Sequence, residues 1–151
     1  MREILFRGKR LDNGEWVKGF ITSACDCAGR LYFIEQPALD LDDCNHSYEV
    51  DFTTIGQYTG MLDKNGIKIF EGDIVDFLDR SDGDGYGVVR YDENETEFEF
   101  ESDNICRSLG SYYPKNIEVI GNIYDNPEFL PEFLKEVQNY DKEINSRRED
   151  S

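Results

Sequence analysis

A stretch of 21 residues, Ile55 to Val75, constrains the fold more than any other region of the chain. It packs a glycine-punctuated turn, a hairpin and the start of a buried strand into one short segment. Thr54–Tyr58 reads as extended. Asp63-Lys64-Asn65-Gly66 reads as a turn, with Gly66 able to take the left-handed conformation. Lys68-Ile69-Phe70 leads into a tight Glu71-Gly72-Asp73 turn, which feeds the apolar run Ile74-Val75-Asp76-Phe77-Leu78. A tight Gly-Asp turn before an apolar strand is common at the start of small SH3-like barrels, an analogy of fold alone.

The flanking sequence is also β in character. Glu3–Arg7 is a short strand, and Asn13-Gly14 is the strongest short hairpin signal because both residues accept positive φ. Trp16–Ile21 follows as a strand, Cys25–Gly29 as a turn and Arg30–Ile34 as another strand. Gly87–Tyr91 is a strand, and Asp92–Glu95 is a turn. Glu95–Glu101 then alternates strictly, so Thr96, Phe98 and Phe100 share one face while Glu95, Glu97, Glu99 and Glu101 share the other. This predicts a half-buried antiparallel strand with an acidic outer face, whose charge suppresses edge-to-edge association. A last strand covers 117–124, kinked or bulged at Gly121. From about Pro127 or Pro131 an amphipathic helix is expected, with Leu130, Phe133, Leu134, Val137, Tyr140 and Ile144 on its apolar stripe.

Charge is the strongest bulk signal. The net is −17, with 33 acidic and 16 basic residues. From Glu71 to Asp103 there are 13 acidic and two basic residues, a net of −11, whereas residues 1–20 carry five basic against three acidic, a net of +2. Such a surface repels nucleic-acid backbones, so no direct nucleic-acid binding is expected, and a strong partner should be basic. Ten Phe, nine Tyr and one Trp supply core-filling volume. No apolar run approaches the roughly 20 residues of a membrane span, and the N-terminus lacks the apolar region of a signal peptide. A cytoplasmic protein without membrane contact is expected.

Few residues suggest chemistry. Cys25, Cys27, Cys44 and His46 could be imagined as a zinc site, but paired ligands usually lie two to four residues apart at both ends, and the competing reading is free thiols in a reducing compartment. No tightly bound metal and no cofactor is expected. His46, the only histidine, lies in an acidic segment with no nucleophile motif beside it. Glu97 and Glu99 form a carboxylate pair, but on an open face rather than in a cleft. Asp82, Asp84, Tyr86, Val89 and Glu93 fall at EF-hand-like positions with the wrong flanks and the wrong residue at Tyr86. No phosphate-binding glycine motif occurs. Tyr112 and Tyr113, beside Pro114, and the glutamates at 95, 97, 99 and 101 are the candidate partner contacts. No catalytic residue emerges.

Several blocks resemble the YopX family of phage and prophage proteins: Arg2-Glu3-Ile4-Leu5-Phe6-Arg7-Gly8, then Gly56–Gly66 with Ile69-Phe70-Glu71-Gly72-Asp73-Ile74-Val75, and Glu118–Glu128. They occur in the family's order and span residues 2–130. At the Val50-Asp51 pair the chain continues with Phe52, where the family often has Pro. The resemblance implies a phage or prophage origin and a tendency to self-associate; the family has no assigned catalytic residues to carry over. The expected architecture is α+β and mostly β, a partly open antiparallel barrel or bent sheet with an SH3-like element around residues 68–124. One domain covers 1–145: a β-rich N-terminal segment over 1–34, an exposed acidic loop over 35–52, a barrel-like segment over 53–125 and a C-terminal helix at about 127–145. Residues 146–151 are expected to be a disordered tail. The expected function is that of a non-enzymatic accessory protein acting through protein–protein contacts and homo-oligomerisation. The alternatives are an acidic decoy of a basic protein, or an enzyme.

Overall fold

A computed structural model of the chain describes residues 3–37, 46–77, 86–101, 106–108 and 117–130. Among them are ten β-strands and one short 3-10 turn. The chain divides into two compact units, Met1–Leu62 with Gly66–Glu71, and Asp63–Asn65 with Gly72–Ser151.

Unit 1 contains β1 (Phe6–Arg10), β2 (Trp16–Asp26), β3 (Gly29–Gln36), β4 (His46–Leu62) and β5 (Lys68–Phe70). The first four pair in order, all antiparallel, and β4 returns to pair with β1, closing a ring of four strands. One strand can serve this many neighbours because it is 17 residues long. Its start pairs with β3, its middle with β1 and its end with β5. To turn that corner it bulges: Lys9 is opposite Asp51, but Arg7 is opposite Gly56. Thr54 holds the bulge. Its hydroxyl oxygen accepts the Lys9 N–H at 2.9 Å, and the hydroxyl donates to the Asp51 carbonyl at 2.6 Å. Inside the ring sit Val17, Ile34 and Val50, with Ile21, Tyr32, Tyr48 and Ile55 packed around them. The ring is tight enough that a methyl group at Gly19 would overlap the carbonyl oxygen of Glu35.

Unit 2 contains β6 (Asp73–Phe77), β7 (Tyr86–Asp92), β8 (Glu97–Glu101), β9 (Cys106–Ser108) and β10 (Ile117–Asn122), in the order β10-β6-β7-β8-β9. The register of β10 against β6 slips between Val119 and Gly121, the bulge expected there. Gly72, at φ +85°, donates its N–H to the Val89 carbonyl at 2.8 Å and accepts the Ile123 N–H at 2.9 Å. Ile74, Val88 and Leu130 form a core with Ile120 and Ile123 packed against it.

The mostly β and barrel expectations agree with this structure, and the α+β assignment does not. The described residues are nearly all strand and turn and include no α-helix. Where a helix starting at Pro127 was expected, the chain makes the 3-10 turn Pro127–Phe129 and leaves it at Leu130 with φ −73° and ψ 134°. Two local causes are visible. The Asn126 side chain, instead of capping a helix, accepts the Asn122 N–H at 3.2 Å. Leu130 precedes Pro131, and a residue before proline is pushed out of the helical region. Leu130 is then buried in the unit 2 core rather than on a helix stripe. Residues 131–145 of the expected helix and the tail 146–151 lie outside the described residues. The closed ring also lies in the N-terminal unit, not in the 53–125 segment, because β1 and β4 meet across a long sequence separation. Strands occupy both ends of the expected acidic loop: β3 runs to Gln36 and β4 begins at His46. Residues 38–45 lie outside the described residues. No helix among the described residues is long and apolar enough to cross a membrane.

Candidate functional site

The acidic strand forms, but its surroundings differ from an open outer face. Asp92 nucleates the turn before β8: its carboxylate accepts the Asn94 N–H at 2.8 Å and the Glu95 N–H at 3.4 Å. Thr96 closes the turn at φ 54°, an unfavourable region for a β-branched residue. Glu95 therefore sits exposed in the turn, and β8 proper begins at Glu97. Glu97, Glu99 and Glu101 are half-buried, opposite Asp92, Arg90 and Val88 of β7. Val88 belongs to the buried core under Leu130, so the glutamate face is covered at one end. Arg90 reaches the Glu101 carboxylate at 3.5 Å. On the other face Phe100 is buried, and Tyr91 meets Phe98 edge-on with ring centres 5.2 Å apart. Tyr112 and Tyr113 lie outside the described residues.

The cations of unit 1 form a feature that the sequence reading missed. Arg7 is directly opposite Lys18 and Lys9 opposite Trp16. Like charges opposed on a sheet repel, and here aromatic rings stand between and beside them. The Arg7 guanidinium lies 4.7 Å from the Trp16 ring centre and 4.9 Å from that of Phe70. Lys18 approaches Phe70 at 5.3 Å, Lys9 approaches Trp16 at 5.4 Å, and Lys68 approaches Tyr58 at 5.3 Å. Tyr58 in turn packs on Phe70 at 5.6 Å. The available signal was the period-two spacing of Arg7 and Lys9, mirrored across the hairpin by Trp16 and Lys18. Arg7 also donates to the Glu71 carbonyl at 3.2 Å. Glu71 pairs with Gln57 twice, donating its backbone N–H to the Gln57 carbonyl at 2.9 Å and accepting the Gln57 N–H on Oε1 at 3.0 Å. Burial pushes this carboxyl above the ordinary range, and the hydrogen bond from Gln57 pulls it partly back.

Asp63, in the turn of the glycine-rich segment, is buried. Its carboxylate accepts the Asn65 N–H at 2.8 Å and the Val119 N–H of β10 at 3.0 Å. Beside it the Lys64 N–H donates to the Ile117 carbonyl at 3.0 Å, and the Lys64 ammonium lies 3.1 Å from Glu118. The residues that mark the turn thus bind the free side of an edge strand.

The cysteine–histidine constellation is not brought together. Cys25 pairs with Arg30 near the β2–β3 tip, and His46 pairs with Gln36 at the far end of β3. Six residues of strand separate the two levels, roughly 20 Å. Cys25 and Cys27 are exposed free thiols, and Cys44 lies outside the described residues. His46 is exposed and stacks on Tyr48 with ring centres 6.3 Å apart. The EF-hand-like count fails because Val89 is buried in mid-strand opposite Phe100; Asp82 and Asp84 lie outside the described residues. No group of three or more His, Cys, Asp or Glu among the described residues is arranged to hold a metal ion.

No curated protein matches the chain. The crystal structure of protein EF1440 from Enterococcus faecalis is similar in fold, with a TM-score of 0.52 at 23% identity; the match covers 87% of this chain and 100% of that one. The model of the YopX protein family matches residues 5–131. With the family blocks seated on the β4–β5 turn, the Gly72 wedge and the β10 edge, the chain belongs to the YopX family.

Proposed function

We propose that this protein is a non-enzymatic accessory protein of phage or prophage origin, acting in the host cytoplasm through protein–protein contact and self-association, with its acidic unit turned to a basic partner. One observation carries this reading: the charge is divided between the units. Unit 1 has 11 acidic and 7 basic residues, a net of −4, while unit 2 has 22 acidic and 9 basic, a net of −13. Within unit 2 the turn residue Glu95 and the strand residues Glu97, Glu99 and Glu101 follow one another along β8 and its entry, with Arg90 of β7 opposite Glu99 and reaching Glu101. Such a surface attracts a cationic one with an affinity that falls as salt is added, and it disfavours nucleic acid. The residues with recognisable chemistry have structural supports: Glu71 serves the Gln57 backbone, and His46 stacks on Tyr48.

The test is binding to an immobilised polylysine chain at increasing salt. Changing Glu95, Glu97, Glu99 and Glu101 to Gln is expected to weaken binding severalfold with an unchanged circular dichroism spectrum. Full retention of affinity by this variant would show that the glutamates serve solubility alone. Retardation of duplex DNA by the wild type at physiological salt would refute the charge argument. For self-association, sedimentation showing only a 17.5 kDa monomer at micromolar concentration would count against it.

A further inference from the structure

The β2–β3 hairpin outruns the ring that carries it. β1 pairs with β2 no further than Gly19, and β4 pairs with β3 only from Phe33 onward. From Phe20 to Asp26 on one strand, and from Gly29 to Tyr32 on the other, the two strands pair only with each other among the described residues. The result is a two-stranded ribbon whose outer edges are unpaired among the described residues. It is a shaped element, not a frayed one. The Asp26 carboxylate accepts the N–H groups of Ala28 at 2.8 Å and Gly29 at 2.9 Å, fixing the tip, and Arg30 donates to the Ser23 hydroxyl at 3.2 Å.

The period of the strands sorts its faces. Ile21, Tyr32 and Ile34 turn toward the core of unit 1. Phe20, Thr22 and Ala24 stand opposite Glu35, Phe33 and Leu31 on the other face. Phe20 is 54% exposed there, and Thr22 and Ala24 are exposed beside it. A bare hairpin is marginal in water, and exposed strand edges are ordinarily blunted by lysine, proline or an inward charge. Neither 20–24 nor 31–34 contains any of these. Between Gly19 and Ile34 the only charges are Asp26 and Arg30, so the ribbon is neutral in a chain of net −17.

We propose that this ribbon is the docking surface for a second copy of the chain, ribbon against ribbon about a two-fold axis. The proposal rests on the self-association reading above and says where the contact lies. Charge selects the occupant. Two copies this acidic repel over most of their surfaces and can approach where the local charge vanishes. A basic partner would gain nothing from a neutral ribbon and is drawn to unit 2 instead.

Sedimentation velocity on the full chain tests this. The wild type is expected to be a dimer whose affinity rises from low to high salt, as screening relieves the repulsion between two acidic copies. Phe20→Glu combined with Thr22→Glu places like charges against each other across the axis and is expected to weaken the dimer at least tenfold. Thr22→Lys alone should act in the same direction without removing an apolar side chain, which guards against misfolding in the double variant. Copper–phenanthroline oxidation should trap the wild type as a covalent dimer through the exposed thiols near the tip, and should fail to trap the double variant. A dimer that persists unchanged in both variants overturns the ribbon contact and leaves self-association standing. A wild type that is monomeric throughout removes both.

Discussion

The two units solve the same problem, the open edge of a β-sheet, by different means. Unit 1 bends its sheet until β4 reaches β1, so within the ring those edges disappear. Unit 2 keeps a row of strands with β10 at one end, and the outward groups of that strand are taken by Asp63 and the Lys64 backbone. The ring needs a long strand, a bulge and a glycine that tolerates close approach. The row needs one buried carboxylate in the right place. Closure distributes the burden over many contacts, whereas capping concentrates it on a single side chain.

That contrast can be broken at several points. The largest effect is expected in unit 1, at Phe70 of β5, which is 1% exposed and carries Arg7, Lys18 and Tyr58 on its aromatic face. Phe70→Ala should cost about 3–5 kcal/mol, read from urea unfolding followed by the fluorescence of Trp16, the only tryptophan, which lies in unit 1. A loss below about 1 kcal/mol would mean that unit 1 does not depend on this stack.

A smaller loss, about 2–3 kcal/mol, is expected for Asp63→Ala, which leaves the Val119 and Asn65 N–H groups without their acceptor. Its specific readout is hydrogen exchange: the Val119 amide should lose protection while the amides of β7 and β8 keep theirs. Unchanged protection at Val119 would show that the edge is not held by this side chain.

The smallest effect concerns Glu71. Burial raises its carboxyl above the reference value of 4.5, so the native state holds the proton more tightly than the unfolded chain does. The stabilisation from that proton is present in acid and is lost as pH rises through the folded-state value. Glu71→Gln keeps an acceptor for the Gln57 N–H and has no proton to lose. The difference in melting temperature between variant and wild type should therefore open in the variant's favour as pH climbs above 4.5. Parallel melting curves across that range would show that solvent already relieves the burial of the carboxylate.

The features legible in the sequence are the local ones. The hairpin at Asn13-Gly14 forms, with only Gly14 at positive φ, and Gly66 and Gly72 take the left-handed conformation their turns demand. The alternation of Phe98 and Phe100 with glutamates correctly separates two faces of β8. It could not reveal that the acidic face is partly covered, because that depends on Leu130 reaching Val88 from a distant stretch of the chain. Ring closure was hidden for the same reason: nothing near Arg7 announces that its partner is Gly56. The helix was overestimated because three- and four-residue apolar spacing near Leu130 fits a helix stripe and a core plug equally well, and the preference of Asn126 for the Asn122 backbone is tertiary information. Of the candidate site, the acidic residues were found but their cationic counterweight was not, since stacking of Arg7 between Trp16 and Phe70 needs strands that are far apart in sequence.

The path of the chain through the β4–β5 turn has a practical consequence. Asp63–Asn65 belongs to the second unit, yet it is flanked on both sides by segments of the first. No single cut of the gene can therefore release either unit whole. A product ending at Leu62 lacks the strand that supplies Phe70, and one beginning at Gly72 lacks the aspartate that seals β10. On the ribosome the first unit must wait for Glu71 to emerge, by which time the cap of the second has already been made. Inheritance, truncation and recombination must treat the two as one indivisible cassette.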